Sequence, residues 1–275
     1  VSKTISYYRP WRDSVGANGI IRATNCYPNR EKCVRHSSKH MMQIFSVNLA
    51  KIPTDRDSIQ LYGYIAVRDD LDSLLNYIVN RSRDEAILMQ QGSLIEMTGP
   101  KRGISMLDPI LIEFDMRIKN GDREEDDLQL IDGMITCGLA TPYWPFKSRI
   151  NGDCGAVDIT SARIFCGVEA TIEVVISEVQ NSFHLSLSSY VSVRELHEEI
   201  RLFQGIISES CRLRRYVVAV EMDTWMHLKF KVGQNDLKND VESHISFEAN
   251  THGYVGGHVM LKFASVSVKV TWSTL

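Results

Sequence analysis

Two acidic segments, each directly after a strand-like run, carry the side chains whose type and spacing best suit a metal ion. The first holds Asp69 and Asp72, and the second holds Asp122, Asp126 and Asp127. Calcium takes about six to eight oxygen ligands, so two loops of a β-sandwich that converge could supply a site together. The alternative is that both segments are simply solvated, which is usual for acidic runs between strands. Calcium at these five aspartates is therefore one hypothesis, and no cofactor is predicted beyond it.

The first 40 residues form a basic arm that could contact nucleic acid. Eight lysines and arginines against two acidic side chains give this arm a net charge of +6, although the whole chain carries −3. Trp11 lies between Arg9 and Arg12, and aromatic rings interleaved with cations can stack bases while neutralising phosphates. The alternative is an ordered strap whose aromatic rings pack on the folded domain. Contact with a ribosome or RNA through this arm is a second hypothesis.

A glycine-bounded turn at 98–103 presents two further cations, Lys101 and Arg102. Such a turn could contact an anion, although lysine and arginine at turn tips are ordinary solubilising residues. The six cysteines do not indicate a zinc site, because they are thinly spread and include no closely spaced pair. The cysteine usage indicates a reducing compartment, either cytoplasmic or nuclear.

Several large function classes lose their usual support in this sequence. It contains none of the phosphate-binding, dinucleotide-binding, serine-hydrolase or zinc-protease motifs in the form G-x-x-x-x-G-K-[ST], G-x-G-x-x-G, G-x-S-x-G or H-E-x-x-H. Its apolar windows are short and interrupted by glutamate, so no membrane association is expected. The composition, 44% hydrophobic and 24% charged, is typical of a folded soluble protein.

The elements that must position these residues are strands. Apolar and polar side chains alternate with a period of two in segments 59–68, 110–119, 168–176 and 228–232, which indicates strands with one buried face. Turn signals separate about a dozen such runs. With no long amphipathic helix to cover a parallel sheet, the pattern predicts an all-β, antiparallel sandwich.

Two local features modify this expectation. Leu71, Leu74, Leu75 and Ile78 have helical spacing and predict one short helix after Asp70. Near the C-terminus the parity of the buried positions changes around 264–265, which predicts one long final strand kinked by a bulge.

The segment 139–153 is the natural connection within the chain. It predicts, after the basic arm at 1–40, a β-rich domain at 41–275 with halves at about 41–138 and 154–275. Two sandwiches and one continuous sandwich both fit this division.

Seven segments, in order and spacing, resemble the marker segments of an uncharacterised plant domain family that is expanded chiefly in cereal grasses. They are Met42–Val47, Leu61–Asp69, Thr98–Pro100, Ile112–Lys119, Val168–Ile172, Leu213–Val220 and Val268–Ser273. The resemblance covers most of residues 41–275 and implies no established activity. Some members are labelled ribosome-inactivating proteins, a label that implies adenine removal from ribosomal RNA.

That label implies a helical Glu-Ala-x-Arg pattern with stacking aromatic rings. The two Glu-Ala pairs of this chain begin at Glu85 and Glu169, and neither is followed by the arginine. Glu169 also lies in an alternating, β-branched run, where it is expected to face solvent.

We therefore predict a non-enzymatic β-sandwich interaction module in plant defence or stress response, with a protein partner. The alternative, from the resemblance, is an rRNA N-glycosidase with Glu169 or Glu85 as its catalytic carboxylate.

Overall fold

A computed structural model describes residues 36–138, 140–233 and 241–275, and the compact unit His36–Leu275 is nearly all β. The candidate RNA-contacting residues Arg9, Trp11 and Arg12 lie outside the described residues. Within them, the only helices are two three-residue 3-10 turns, Arg83–Glu85 and Glu124–Asp126. No helix in the described ranges has the length and apolarity needed to cross a bilayer. The predicted all-β, antiparallel class is confirmed.

Eighteen strands account for the described structure. They are β1 (Lys39–Lys51), β2 (Ser58–Arg68), β3 (Asn76–Arg81), β4 (Ile87–Gln90), β5 (Leu94–Ile95), β6 (Ile104–Ser105), β7 (Ile110–Ile118), β8 (Leu128–Cys137), β9 (Phe146–Asn151), β10 (Ala156–Ser177), β11 (Phe183–Val193), β12 (Leu196–Ile207), β13 (Cys211–Arg212), β14 (Tyr216–Glu221), β15 (Trp225–Gly233), β16 (Val241–Glu248), β17 (Gly253–Met260) and β18 (Ser265–Ser273).

Strand β10 is the central strand of the unit. It runs for 22 residues, well beyond the usual strand length of about 3–10 residues. Along its first part β10 lies between β1 and β9, and along its second part it lies between β14 and β18. The change of partners falls near Cys166, whose φ of 47° marks a local break in the extended backbone. One long strand can thus serve two sets of neighbours.

Two hydrophobic cores lie on the nine-stranded sheet that contains β10. A five-stranded sheet, in the order β3-β2-β7-β8 with β4 beside β2, encloses one core with residues of β1 and the start of β10. A four-stranded sheet, in the order β12-β11-β15-β16, encloses the other core with the rest of β10 and β18. Since β1 and β10 contribute side chains to both cores, the division into halves at 41–138 and 154–275 stays a prediction.

Strand β7 shows why these residues form half-buried strands. Ile110, Ile112, Phe114 and Met116 are each buried, while the intervening charged side chains are only partly covered. Burying each of these apolar side chains contributes about 1.5–3 kcal/mol, which fixes the register because a shift by one residue would expose them all.

The helix predicted after Asp70 is wrong. Residues 71–75 form bends and irregular backbone, and β3 begins directly afterwards at Asn76. The side chains of Asp69 and Asp72 accept hydrogen bonds from the backbone N–H groups of Leu71 and Leu74, at 3.2 and 2.9 Å. These aspartate-stabilised turns compete with helix formation at the position where a helix would start.

The predicted long, kinked final strand is also wrong. The segment forms two paired strands, β17 and β18, joined by a turn in which the Leu261 N–H donates to the Ala264 carbonyl at 2.9 Å. The parity of the buried positions changes because the chain reverses direction there. A bulge in one continuous strand would give the same sequence pattern.

Candidate binding cleft

A cleft of about 440 Å³ opens where the free edge of β12 approaches β1 and the segment after β5. Phe45 and Ile95 contribute to one wall, and Leu202 and Phe203 contribute to the other. Met97, also in the lining, packs against both hydrophobic cores, so the cleft lies at the seam between them. Ligand sites favour such seams because two packed layers leave a concave surface there.

Arg214 ties the two walls of the cleft together. Its Nη2 donates to the carbonyl oxygens of Met97 and Leu202, the latter at 3.4 Å, and it lies 3.2 Å from Oε1 of Glu96. Arg81 holds the other oxygen of Glu96 at 2.7 Å. The segment 94–97 is therefore fixed opposite β12 by charge-assisted hydrogen bonds, which are stronger than neutral ones.

The lining combines an apolar floor with a polar rim. Phe45, Ile95 and Leu202 are buried, whereas Leu94 is substantially exposed at the mouth. On the rim, Glu199 accepts a hydrogen bond from Ser188 Oγ at 2.6 Å, and Arg201 donates to Gln204 at 2.9 Å. An apolar base with a few oriented polar groups is the usual composition of a binding site.

Tyr216 lies at a narrow extension of this cleft, together with Met97 and Leu202. Burial raises the pKa of the Tyr216 phenol, while the guanidinium of Arg214, 5.2 Å from the centre of its ring, acts in the opposite direction. The phenol therefore stays neutral at physiological pH, and the extension carries no negative charge from this residue.

Strand β12 presents a long unpaired edge beside the cleft. Its 12 residues pair with β11 on one side, and the described residues provide no strand on the other. Leu196 and Ile206, near its two ends, are more than half exposed. An edge of this kind offers a row of backbone N–H and C=O groups to another extended chain.

The predicted anion contact at Arg102 is used internally. Its guanidinium makes two hydrogen bonds to the buried carboxylate of Asp69, at 2.6 and 2.7 Å, and the Ser105 N–H donates to the same carboxylate at 2.8 Å. Lys101, in contrast, has an exposed side chain, and its backbone N–H donates to Asn76 Oδ1 at 3.0 Å. The pair Asp69–Arg102 thus fixes the turn 98–103, and only Lys101 is left facing solvent.

Asp127, the second buried carboxylate among the calcium candidates, is also occupied. It accepts hydrogen bonds from Arg83 Nε at 2.7 Å, from the Tyr62 hydroxyl at 2.6 Å and from the Asn120 N–H at 2.7 Å. Arg83 above all, then Tyr62 and Asn120, hold the pKa of the Asp127 carboxyl well below its usual range, although burial acts in the opposite direction. Burial, followed by the bond to Asp127, raises the pKa of Tyr62 to about 12.

The two acidic segments do not converge. Asp69 follows the last residue of β2, whereas the segment holding Asp122, Asp126 and Asp127 follows β7. Because Leu61 pairs with Ile118 and Arg68 pairs with Leu111, these segments lie at opposite ends of one sheet. Seven strand residues separate them, which is about 23 Å at about 3.3 Å per residue.

The remaining candidate ligands Asp72, Asp122 and Asp126 are exposed. In the part of the chain that the structure describes, no three His, Cys, Asp or Glu side chains are grouped to hold a metal ion. The shared calcium site is therefore corrected: one ion cannot reach both acidic segments.

Both candidate catalytic glutamates make hydrogen bonds within the fold. Glu169 lies in strand β10, as predicted, but its carboxylate does not face solvent freely: it accepts bonds from the Gly103 N–H at 2.5 Å and from Thr171 and Ser273 at 3.1 Å. Glu85 caps the 3-10 turn at Arg83–Glu85 through Ser82, whose hydroxyl lowers the pKa of the Glu85 carboxyl. Both carboxylates stabilise backbone.

The sequence analysis missed the cleft. Arg214 and Met97, which are joined by a hydrogen bond beside it, are 117 positions apart, and no motif marks either residue. Residues 197–201 are predicted from the sequence to form a polar turn, because three polar side chains precede Ile200, whereas the structure places them in strand β12.

The comparisons with known proteins give one extended match. A family model described as "Domain of unknown function (DUF6598)" matches residues 41–270. Among curated proteins, no relative matches this sequence.

Among solved structures, human GIVD cytosolic phospholipase A2 is similar at 9% identity, with a TM-score of 0.26, over 85% of this chain and 33% of that chain. The two C2 domains of Extended-Synaptotagmin 2 are similar at 7% identity, with a TM-score of 0.24, over 93% of this chain and 99% of that chain. This chain thus spans about a third of the phospholipase. TM-scores below 0.5 do not establish a shared fold.

Proposed function

The chain belongs to the DUF6598 family of domains of unknown function, and from this premise we propose that it is a non-enzymatic interaction module that binds an extended segment of a protein partner. The site proposed is the cleft beside β12. The observation that carries the proposal is the 12-residue edge of β12, which no other strand of the described residues pairs with, bordering a cavity of about 440 Å³.

Strand addition explains how such a site would work. An extended peptide that pairs with a sheet edge obtains affinity from main-chain hydrogen bonds and specificity from pockets for alternate side chains. Here the pocket is the apolar floor at Phe45 and Leu202, and the half-buried ring of Phe203 borders it. We therefore expect the bound segment to place one apolar side chain in the floor.

The rim also favours binding over chemistry. Its two carboxylates are engaged, Glu96 by Arg81 and Arg214 and Glu199 by Ser188. A general acid or base must be free to exchange a proton with a substrate. The engaged carboxylates supply orientation and charge instead, which suits recognition of a mixed polar and apolar segment.

We further propose that the module acts in plant defence or stress response, in the cytoplasm or nucleus. The support is the resemblance of the seven marker segments and the absence of closely spaced cysteine pairs in the sequence. Contact with a ribosome or RNA through Arg9, Trp11 and Arg12 stays a prediction.

Selection from a displayed library of random linear peptides tests the binding site. We expect selected peptides whose affinity falls at least about tenfold in Phe203→Ala and in Leu94→Ala, a loss of about 1.4 kcal/mol. Leu88→Ala is the matched control, because Leu88 is an exposed leucine on β4, away from the cleft. N-methylation of alternate amides in the best peptide should abolish binding, because it removes the donors for strand pairing.

Two results would contradict the proposal. One is selection that yields no peptide bound by the wild-type domain. The other is a set of peptides bound equally by wild type, Phe203→Ala and Leu94→Ala.

A further inference from the structure

Each strand of the β12-β11-β15-β16 sheet contributes one histidine to the face that points away from the core. The four are His197 on β12, His184 on β11, His227 on β15 and His244 on β16. In the strand register they pair with side chains of the outer face, while the alternate positions of β11 and β15 are buried. None of these histidines lines the cleft beside β12. The outer face is therefore a surface that the proposed peptide site does not use.

Two of these histidines, His197 and His227, lie next to each other. His197 pairs with Ser192 and His227 pairs with Tyr190, so their rings approach each other across β11. The ring centres are 6.2 Å apart, and the ring planes are inclined by 68°. One metal ion bound by two imidazoles, at about 2.0–2.1 Å from each nitrogen, places the ring centres roughly 5–6.5 Å apart. Rotation of the two side chains is thus sufficient to bring one nitrogen of each ring to a common ion.

The other polar contacts of the two rings leave one nitrogen of each available. Nδ1 of His227 lies 2.7 Å from Ser246 Oγ, and Nδ1 of His197 lies 3.5 Å from Ser192 Oγ. Within the described residues, no hydrogen bond involves Nε2 of either ring. In metal sites a second group usually holds one ring nitrogen, which orients the ring and leaves the lone pair of the other nitrogen for the ion. Ser246 is placed to do this for His227.

The protonation state of His227 also suits a metal ion. Burial above all, and then the neighbouring His197 and His244, lowers the pKa of His227. Its ring is therefore neutral at pH 7, and a histidine must be neutral to bind a metal ion. The proximity of these rings makes a second proton unfavourable, whereas one shared dication would be bound by both lone pairs.

The nearest further candidate ligands point to other partners. Glu199, two residues after His197, accepts a hydrogen bond from Ser188 Oγ at 2.6 Å. Nε2 of His244 lies 3.8 Å from Oε2 of Glu242. This agrees with the finding that no three metal-binding side chains are grouped in the described part of the chain. An ion at the histidine pair would have two protein ligands and water in its remaining positions.

From this geometry we propose that His197 and His227 form a binding site for a divalent transition-metal ion. Imidazole nitrogen suits copper, nickel and zinc, whereas calcium and magnesium prefer oxygen ligands. For nitrogen ligands the order of affinity places Cu²⁺ above Ni²⁺ and Zn²⁺. Because the ion would keep open coordination positions, it could also accept a ligand from a bound molecule. The site does not depend on the peptide cleft, so the failure of either proposal leaves the other intact.

Isothermal titration of the whole chain with Cu²⁺, Ni²⁺ and Zn²⁺ at about pH 7.5 tests the proposal. We expect Cu²⁺ to bind most tightly, with a Kd between about 0.1 and 10 µM. Since other histidines and the cysteines can bind the same metals, the decisive quantity is a difference. The double variant His197→Ala/His227→Ala should bind one equivalent of Cu²⁺ fewer than wild type. Each single variant should weaken that equivalent at least about tenfold.

Two further measurements locate the ion. His184→Ala is the matched control, because His184 is exposed on the same face but lies opposite Gly233; it should leave that equivalent unchanged. Trp225 is 48% exposed and lies two positions before His227 on the same face of β15, about 7 Å along the strand. Cu²⁺ at the histidine pair should therefore quench its fluorescence. This component of the quenching should disappear in the double variant and in Trp225→Phe.

Three outcomes would overturn the proposal. The first is that none of the three metals binds wild type more tightly than about 1 mM. The second is a double variant, shown to be folded by circular dichroism, that binds as many equivalents of Cu²⁺ as wild type with the same affinity. The third is a loss in His184→Ala as large as the loss in His197→Ala.

Discussion

Replacing Asp127 by asparagine removes a negative charge that accepts several hydrogen bonds at one end of the five-stranded sheet. The carboxylate is 1% exposed and accepts two hydrogen bonds from Arg83, one from Tyr62 and one from the Asn120 backbone. Arg83 in turn donates to the carbonyls of Gly121, at 2.9 Å, and of two residues that follow it. The substitution therefore loosens the β7–β8 connection as well as one ion pair.

The expected loss of stability is estimated from the hydrogen bonds that the charged carboxylate accepts. Such bonds contribute about 1.5–3 kcal/mol each and are not additive within one network, so we expect a loss of about 2–3 kcal/mol at pH 7. In a domain of this size that corresponds to a fall in Tm of about 4–12 °C. Arg83 and Tyr62 keep their desolvation penalty without the charged acceptor, which is why the loss exceeds that of an exposed pair.

The loss must also depend on pH in one direction. The pKa of Asp127 in the folded protein is well below its usual range, so its contribution is fully present above the unfolded value of about 3.9. It declines as the pH falls below that value towards the folded pKa. The difference between wild type and Asp127→Asn is therefore expected to be constant from pH 7 to about pH 5 and to shrink below about pH 4.

Thermal and guanidinium unfolding at pH 7, 5, 4 and 3 measure this difference. Asp126→Asn is the matched control, because the neighbouring Asp126 side chain is exposed and should change stability by less than about 0.5 kcal/mol. Equal midpoints for Asp127→Asn and wild type at pH 7 would refute the reasoning. So would a difference that stays the same at pH 3 as at pH 7.

Two other predictions concern the backbone and the alternative activity. Gly63→Ala should destabilise the domain by at least about 2 kcal/mol more than Gly121→Ala in thermal unfolding. Both glycines have positive φ, but only at position 63 would the new Cβ lie 2.1 Å from a backbone atom, the Asp115 carbonyl oxygen. Equal losses of stability in the two variants would show that this close approach is unimportant. Adenine release from intact ribosomes should stay at background for wild type, Glu169→Gln and Glu85→Gln, because both carboxylates hold backbone groups and lack the arginine that base excision needs. Robust release that either substitution abolishes would restore the glycosidase alternative.

The strands could be predicted from local sequence patterns, because burial of one face of a strand leaves apolar residues at every second position. Segment 110–119 predicts β7 with its buried side correctly identified, and 168–176 predicts the second part of β10. The pattern of apolar residues failed after Asp70, where helical spacing over about two turns was outweighed by the backbone hydrogen bonds that the Asp69 and Asp72 side chains accept. A short apolar spacing does not distinguish a helix from a turn followed by a strand.

Sequence reasoning selected Asp69 and Asp127 as residues of interest, and both are indeed unusual, since each is a buried carboxylate. What the sequence could not supply is the partner. Arg102 is 33 positions from Asp69, and Arg83 is 44 positions from Asp127, so proximity depends on the sheet register. Without that register, a carboxylate awaiting a metal ion and a carboxylate already paired with arginine look identical.

The cleft beside β12 was inaccessible to sequence reasoning for a related physical reason. It is bordered by a strand edge, and an edge is defined by the strand that is missing beside it. Strands β12 and β16 bury fewer side chains than the central strands β11 and β15, but this difference is seen only once the fold is known. Only the sheet order β12-β11-β15-β16 shows that, among the strands of the described ranges, the outer two have a neighbour on one side alone. A domain of this kind can therefore keep its strand pattern while the residues bordering its free edges determine what it binds.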